Sequence, residues 1–146
     1  MAKIDLASIR DSNVFAAMEK AVDTEQYILP YTEAEHAHNM MDPSFVYLRI
    51  LDADELVGFI ILFLDQDMTS VEFRRIVVSA KGRGIGQSAI AEMEQFCLSV
   101  LHRQRVWLDV FEGNSRGRHI YEKLGYKYCG EGEHEEKKLL IYEKML

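Results

Sequence analysis

The chain has 146 residues, of which 48% are hydrophobic and 28% charged, and its formal net charge is −7. This composition is typical of one globular domain with a single core, and it excludes an intrinsically disordered chain. The negative charge argues against a nucleic-acid partner. The longest apolar run, residues 56–64, is too short to cross a bilayer as a helix, and the N-terminus lacks the apolar core of a signal peptide. We therefore expect one cytoplasmic domain spanning residues 1–146, without a membrane partner.

The first half of the chain predicts two short helices followed by three strands. Apolar residues recur at helical spacing over residues 11–21, and Thr32 and Glu35 form a capping-box pattern for a helix over residues 32–41. Three β-rich runs follow, at residues 45–50, 55–64 and 71–78. Their short polar connections predict an antiparallel meander.

The second half predicts an alternation of helices and strands. An amphipathic helix begins near Gly84, and a second helix over residues 115–124 ends before Gly125. Three strands are predicted, at residues 105–110, 126–131 and 138–146. The order βααβββαβαββ predicts an α/β (α+β) fold, with a mixed central sheet of about six or seven strands and about four flanking helices.

Three glycines, Gly82, Gly84 and Gly86, lie between the third meander strand and the next helix. A glycine-rich turn at a helix N-terminus binds phosphate through free N–H groups and the helix dipole, although it can also serve only as a tight turn. A P-loop is excluded, because Gln87 stands where a lysine must reach the phosphates. A dinucleotide fingerprint fits residues 84–89 and Asp109, but antiparallel strands precede it and only one β-α-β unit follows.

The loop and the segment after it resemble a known family. Residues 81–86, KGRGIG, are similar to the pyrophosphate loop of the GCN5-related N-acetyltransferase (GNAT) superfamily, commonly written [QR]-x-x-G-x-[GA]. Lys81 stands at the usual Gln/Arg position, where it keeps a cation but loses the forked guanidinium. The block VWLDVFEGNSRGRHIYEKLGYKYCG resembles the next strand of the family, its Asn and its Tyr-x-x-x-Gly-aromatic helix end; Gly117 replaces a usual alanine, which is expected to loosen helix packing. The resemblance extends from Phe45 to Leu146.

The resemblance implies a GNAT-like domain that uses acetyl-CoA as co-substrate and no metal. It implies backbone pairing of the pre-loop strand with the pantetheine arm and binding of the pyrophosphate by the glycine loop. The expected cofactor-binding residues are Ile76, Val77, Val78, Lys81, Gly82, Arg83, Gly84, Ile85, Gly86, Gln87, Ser88, Asn114 and Tyr121.

The implied reaction is acetyl transfer to a primary amine, which is protonated in water. At pH 7 only about one alkylamine in ~2,500 is free of its proton, so a base is useful. Asp109 and Glu72 compete for that role, with a water chain as the third alternative, and the resemblance makes Tyr121 the acid for the departing thiolate. His36 and His38 are interpreted as a solvated pair rather than metal ligands. Arg74 and Arg75 are expected to alternate faces, with one of them lining the substrate cleft and the other at the surface.

The acceptor is expected to be a cationic small molecule or peptide. The chain is acidic, and its substrate-facing helix region carries Glu33, Glu35 and Asp42 without a basic Lys or Arg. The alternatives are a protein N-terminal or lysine acetyltransferase, a non-catalytic acyl-CoA-binding sensor and a nucleotide-binding module. A homodimer is common in the family.

Overall fold

The computed structural model describes residues 2–21, 30–79 and 84–146, and within these ranges it contains seven strands and four helices. In chain order they are β1 (Ala2–Leu6), α1 (Ser12–Ala21), α2 (Glu33–Met40), β2 (Phe45–Asp52), β3 (Glu55–Leu64), β4 (Ser70–Val78), α3 (Ile85–Ser99), β5 (Arg105–Phe111), α4 (Ser115–Lys123), β6 (Lys127–His134) and β7 (Lys137–Met145). A single turn of 3₁₀ helix, Ile9–Asp11, precedes α1. No helix in the described part of the chain is long and apolar enough to cross a membrane.

All seven strands form one mixed sheet in the order β1-β2-β3-β4-β5-β7-β6. Every neighbouring pair is antiparallel except β4 and β5, which are parallel and connected through α3. A parallel pair needs such a crossover, whereas the antiparallel pairs β2/β3, β3/β4 and β6/β7 are joined by short turns. The predicted mixed sheet of six or seven strands with four helices is confirmed.

Strand β3 is apolar from Leu56 to Leu64 because both of its faces are covered. Ile60 and Leu62 belong to the larger core, on the side of α3, while Phe59 and Ile61 belong to a smaller core with Phe15 of α1. Successive residues of a strand point to opposite faces, so a strand covered on both sides has no polar positions. The nine-residue apolar run of the sequence is this buried strand.

A bulge interrupts the pairing of β4 with β3. Ile61 is opposite Arg75 and Leu62 is opposite Phe73, which leaves Arg74 as the extra residue. A bulge breaks the alternation of side chains between faces. Arg74 and Arg75 therefore both lie on the α1/α2 side, where Arg74 contacts the ring of Phe63. The expectation that the two arginines alternate faces is therefore wrong; Arg75 is 10% exposed and Arg74 29%, and both are ion-paired.

The parallel strands β4 and β5 separate soon after they meet. They pair only at Ser70↔Arg105, Val71↔Val106 and Glu72↔Trp107. Beyond these three pairs, residues 73–78 of β4 and 108–111 of β5 have no ladder to each other. We call the V-shaped opening between these two segments the splay. Among the described residues, it leaves backbone N–H and C=O groups on both edges without strand partners.

Candidate active site

Asp109 and Glu72 lie at the splay, on the same face of the sheet. Glu72 is opposite Trp107, and Asp109 follows two residues later. The carboxylate of Asp109 has no hydrogen bond or ion pair within the described residues and is open to solvent. The surrounding protein nevertheless displaces part of its water, and this loss, with the negative charge of Glu72, raises the pKa of Asp109; the positive charges of Arg74 and His134 oppose the shift.

Glu72 differs from Asp109 because it already has a counterion. Its Oε1 accepts hydrogen bonds from Nη2 of Arg74 at 2.7 Å and from Nε at 3.2 Å. The Glu72 side chain is 13% exposed, so this pair is largely shielded from water. The two carboxylates that the sequence could not separate therefore stand in different environments.

Tyr121 lies on α4, on the opposite face of the sheet, and its ring packs edge-on against Phe73 and Tyr126, each with a centroid separation of 6.1 Å. Burial raises the pKa of Tyr121 to about 12, and the negative charge of Asp109 contributes to the shift. The hydroxyl is therefore protonated at neutral pH. It makes no hydrogen bond within the described part of the chain, so it is available to a ligand.

A polar cluster holds the end of the helix that carries Tyr121. Nζ of Lys144 donates to the carbonyl of Leu124 at 2.8 Å and to Glu94 at 2.9 Å. The hydroxyl of Tyr126 donates to the other oxygen of Glu94. These bonds join α4 to α3 and β7, and a basic side chain at a helix C-terminus also suits the helix dipole.

Asn114 caps the start of α4. Its Oδ1 accepts a hydrogen bond from the N–H of Gly117 at 3.0 Å. A Cβ on residue 117 would lie 2.8 Å from the side-chain nitrogen of Asn114. The absence of a side chain at Gly117 therefore leaves room for the capping side chain of Asn114. This role differs from the looser helix packing that was expected from a glycine in place of alanine. The cofactor contact of Asn114 stays a prediction.

The glycine loop is described only in part. Lys81, Gly82 and Arg83 lie outside the described residues. Gly84 has φ of 68° and is the N-cap of α3 without a side-chain cap, so the first N–H groups of this helix have no intrahelical acceptor. A Cβ at Gly84 would meet no atom within 4 Å, which means that glycine is required here by the left-handed backbone rather than by crowding within the described chain.

The other predicted cofactor-binding residues surround the splay and the start of α3. The side chains of Ile76, Val78 and Ile85 pack into the larger core and that of Val77 into the smaller one, so only their backbone groups can serve a ligand. Gly86 and Gln87 follow in the first turn of α3 and are half-buried. Ser88 follows, and its hydroxyl accepts a hydrogen bond from the N–H of Ala2 at 3.2 Å.

A buried polar network under α1 and α2 was not predicted. Glu19 receives hydrogen bonds from Arg75 and from Nε2 of His36, both at 2.7 Å, and Nδ1 of His36 contacts the hydroxyl of Tyr47 at 2.8 Å. Asn39 donates to the same hydroxyl, which leaves the Tyr47 proton for His36. Burial raises the pKa of Tyr47 to about 12.

This network corrects the interpretation of His36 and His38 as a solvated pair. His36 is fully buried, and only His38 is exposed. The available signal was Glu19, which follows Phe15 by four residues and so falls on the apolar face of α1. A carboxylate in that position needs a buried partner. Within the described ranges, no three His, Cys, Asp or Glu side chains are arranged to hold a metal ion.

Comparison with known proteins gives a family and a set of similar structures. The family model described as "Acetyltransferase (GNAT) family" matches residues 12–126. A spermidine/spermine N-acetyltransferase SpeG from Vibrio cholerae in complex with manganese ions has 19% identity and a TM-score of 0.79, over 99% of this chain and 92% of that one. A spermidine N-acetyltransferase from the same organism in complex with CoA and spermine has 17% identity and a TM-score of 0.82, over 99% and 95%.

A third similar structure is a dodecameric spermidine N-acetyltransferase from Vibrio cholerae in an intermediate state. Its identity is 16% and its TM-score 0.78, over 99% of this chain and 93% of that one. At these identities the likeness establishes the shared fold and leaves the acceptor open.

Proposed function

The chain belongs to the acetyltransferase (GNAT) family and is therefore an acyltransferase, and from this premise we propose that it transfers the acetyl group of acetyl-CoA to a primary amine of a cationic small molecule or peptide. The observation that carries the proposal is Asp109, whose carboxylate has a raised pKa, lies in the opening between two parallel strands and has no ion-pair partner in the described part of the chain. A perturbed acid in such a place is suited to proton abstraction from an ammonium.

The residues present fit acetyl-CoA. The β4 edge of the splay, at Ile76, Val77 and Val78, offers backbone groups to an amide-containing arm, as a neighbouring strand would. The uncapped first turn of α3, after Gly84, suits a pyrophosphate, and residues 81–83 would continue that cradle. When bound, acetyl-CoA supplies an activated acetyl carbon with a sulfur leaving group.

Asp109 accepts a proton from the acceptor ammonium before a nitrogen–carbon bond can form. Its raised pKa makes it a stronger base than an ordinary aspartate and reduces the gap to the ammonium. The negative charge of Glu72 helps to raise the pKa of Asp109, while Glu72 itself stays ionised because it is paired with Arg74. We therefore assign the base to Asp109 and an electrostatic role to Glu72.

Tyr121 donates a hydrogen bond to the sulfur of the leaving group as the carbon–sulfur bond breaks. A phenol with a pKa of about 12 holds its proton more tightly than a thiol, whose pKa is about 8.5. Tyr121 therefore stabilises the developing thiolate mainly as a hydrogen-bond donor. The proton that the thiolate finally keeps comes from the acceptor nitrogen, which loses a second proton when the amide forms.

The cationic acceptor is supported by the charge at the splay. Glu72, Asp109 and Arg74 together leave one negative charge, which favours an approaching ammonium. The acids of the α2 region contribute less than the sequence suggested: Glu35 completes the helix cap, and Asp42 accepts the N–H of Ser44. The similar structure that binds spermine is consistent with this acceptor class. A protein N-terminus or lysine as acceptor, an acyl-CoA sensor and a homodimer stay alternatives to be tested.

Acetyl-CoA binding tests the proposed function most directly. At a concentration of about 100 times its dissociation constant, acetyl-CoA is expected to stabilise the fold by roughly 2.7 kcal/mol. For a chain of this size that corresponds to a rise on the order of 5–10 °C in melting temperature. The measurement is a thermal melt with acetyl-CoA or NAD. If NAD raises the melting temperature and acetyl-CoA does not, the site binds a nucleotide and the proposed acetyltransferase function is wrong.

Tyr121→Phe is expected to lower kcat on the order of tenfold to a hundredfold and to leave the affinity for acetyl-CoA unchanged, because only a hydroxyl is removed. Release of free CoA thiol gives kcat, and the acetyl-CoA melt gives the affinity. Tyr128→Phe is the control, since Tyr128 is exposed on β6 and its hydroxyl donates to Glu131. Equal turnover in wild type and Tyr121→Phe would leave Tyr121 as a packing residue only.

A further inference from the structure

The guanidinium of Arg74 occupies a cation site made by its neighbours. Its central carbon lies 4.5 Å from the ring centroid of Phe63 and 5.1 Å from that of Phe45. Two of its nitrogens donate to the same oxygen of Glu72. Aromatic rings combined with a carboxylate form the arrangement by which proteins bind alkylammonium and guanidinium ligands.

The walls of this site are fixed by the register of three strands. Phe45 of β2 is opposite Phe63 of β3, and Phe63 is opposite Glu72 of β4. The two rings contact each other edge to face at 5.1 Å. The bulge places Arg74 over these three residues. The walls therefore belong to the sheet itself and do not depend on the arginine for their position.

The resident arginine sets how many further cations the splay accepts. Asp109 is close enough to Arg74 and Glu72 for all three charges to affect one another. With Arg74 in place, the net charge of Arg74, Glu72 and Asp109 is −1, and the reacting ammonium of the acceptor neutralises it. A second ammonium a few ångströms along the same acceptor finds the aromatic site filled and meets a positive charge.

We propose that Phe45, Phe63 and Glu72 form a binding site for a second acceptor cation, and that Arg74 fills this site as a built-in occupant. Arg74 is then a specificity-determining residue, which selects acceptors that bring a single ammonium to the splay over diamines with closely spaced charges. Further cations of a longer acceptor lie beyond the site. The selectivity part of this inference rests on the proposed function, whereas the cation site does not.

The cation site is tested by chemical rescue without any catalysis. Arg74→Ala removes the occupant and leaves the three walls, so methylguanidinium is expected to bind it. A saturable rise of about 3–5 °C in melting temperature is expected at roughly ten times the dissociation constant. Quenching or a shift of the fluorescence of Trp107, the only tryptophan and the register partner of Glu72, gives a second readout.

Wild type and Arg49→Ala are the controls for this rescue. Arg49 pairs with Asp5 and has no cation–π contact within the described residues, so its removal opens no aromatic site. Neither control is expected to show saturable binding. Arg74→Gln is the second variant if the alanine weakens the fold. Absence of saturable binding in both folded Arg74 variants, or equal binding in Arg49→Ala, overturns the site.

Selectivity is tested with propylamine and 1,3-diaminopropane. The ratio of kcat/KM for the diamine over the monoamine is expected to rise about tenfold in Arg74→Ala and Arg74→Gln, since the second ammonium gains an aromatic and ionic partner. Arg74→Lys keeps a resident cation and is expected to keep the wild-type ratio. An unchanged ratio in both neutral variants overturns the assignment of Arg74. If no amine is acetylated by any of these proteins, the proposed function fails, and the methylguanidinium result alone decides the cation site.

Discussion

Asp109→Asn is expected to lower kcat/KM for amine acetylation by roughly 10²- to 10⁴-fold while acetyl-CoA still binds. The amide has the size of the carboxylate but cannot accept the ammonium proton. The measurement is release of CoA thiol at saturating acetyl-CoA, with the acetyl-CoA melt as the binding readout. Asp5→Asn is the control, because Asp5 pairs with Arg49 on β1 and β2, away from the splay. Near-normal turnover of Asp109→Asn would favour a water chain as the route for the proton.

The raised pKa of Asp109 also gives the direction of two pH effects. As the pH falls through this pKa the base becomes protonated, so kcat/KM of the wild type is expected to fall with it. In the unfolded chain an aspartate has a pKa of about 3.9, so between the two values the folded state binds more protons. Stability therefore decreases as the pH rises through this window.

The same linkage separates a functional residue from a structural one. Asp109→Asn cannot ionise, so its free energy of unfolding minus that of the wild type is expected to be larger at pH 7 than at pH 4, which means that the variant is relatively more stable at pH 7. Urea unfolding at both pH values measures the difference. Loss of activity together with loss of stability at pH 7 would indicate that Asp109 supports the fold instead of the reaction.

Arg75→Met is expected to lower the free energy of unfolding by about 3–5 kcal/mol, because it leaves the carboxylate of Glu19 buried without its counterion. Glu19 is 2% exposed and Arg75 10%, so water cannot replace the lost partner. Chemical denaturation at pH 7 gives the value. Arg49→Met is the matched control: its ion pair is exposed, and its removal is expected to cost about 1 kcal/mol or less.

A double variant shows whether this cost comes from the unpaired charge. Glu19→Gln with Arg75→Met removes both charges and keeps a carbonyl acceptor for Nε2 of His36 and for the N–H of Tyr31. The double variant is expected to recover most of the loss. Nε of Arg75 is buried and has no hydrogen-bond partner within the described residues, so the intact pair is incompletely satisfied and contributes little net stability. A double variant as unstable as Arg75→Met would indicate lost packing of the arginine stem.

The elements were predictable because their signals are local. The bounds of β3 coincide with the predicted residues 55–64, and α3 follows the three- and four-residue spacing that begins at Gly84. The order of these elements also gave the mixed sheet. The family resemblance at residues 81–86 and 114–126 is confirmed by the family match, whereas the roles of Asp109, Glu72 and Tyr121 stay predictions.

What escaped prediction depends on contacts between distant residues. The sequence RRIVV does not reveal the bulge, because two consecutive arginines are also compatible with a regular strand. The extra residue, Arg74, shows only in the register with β3, where Phe73 is opposite Leu62 and Arg75 is opposite Ile61. The pairing of Glu72 with Arg74 follows from that bulge. His36 looked solvated because its partners lie on other elements, namely Glu19 on α1 and Tyr47 on β2.

The splay has a consequence for the behaviour of the protein at high concentration. A regular sheet has unpaired N–H and C=O groups only at its two outer strands, here β1 and β6. The separation of β4 and β5 adds two such edges inside the sheet. An extended segment of another chain carries groups that match these edges, and open edges of this kind promote aggregation and strand exchange between molecules. A ligand lying in the splay would bond the same backbone N–H and C=O groups. A cofactor there would therefore reduce self-association in addition to taking part in the reaction.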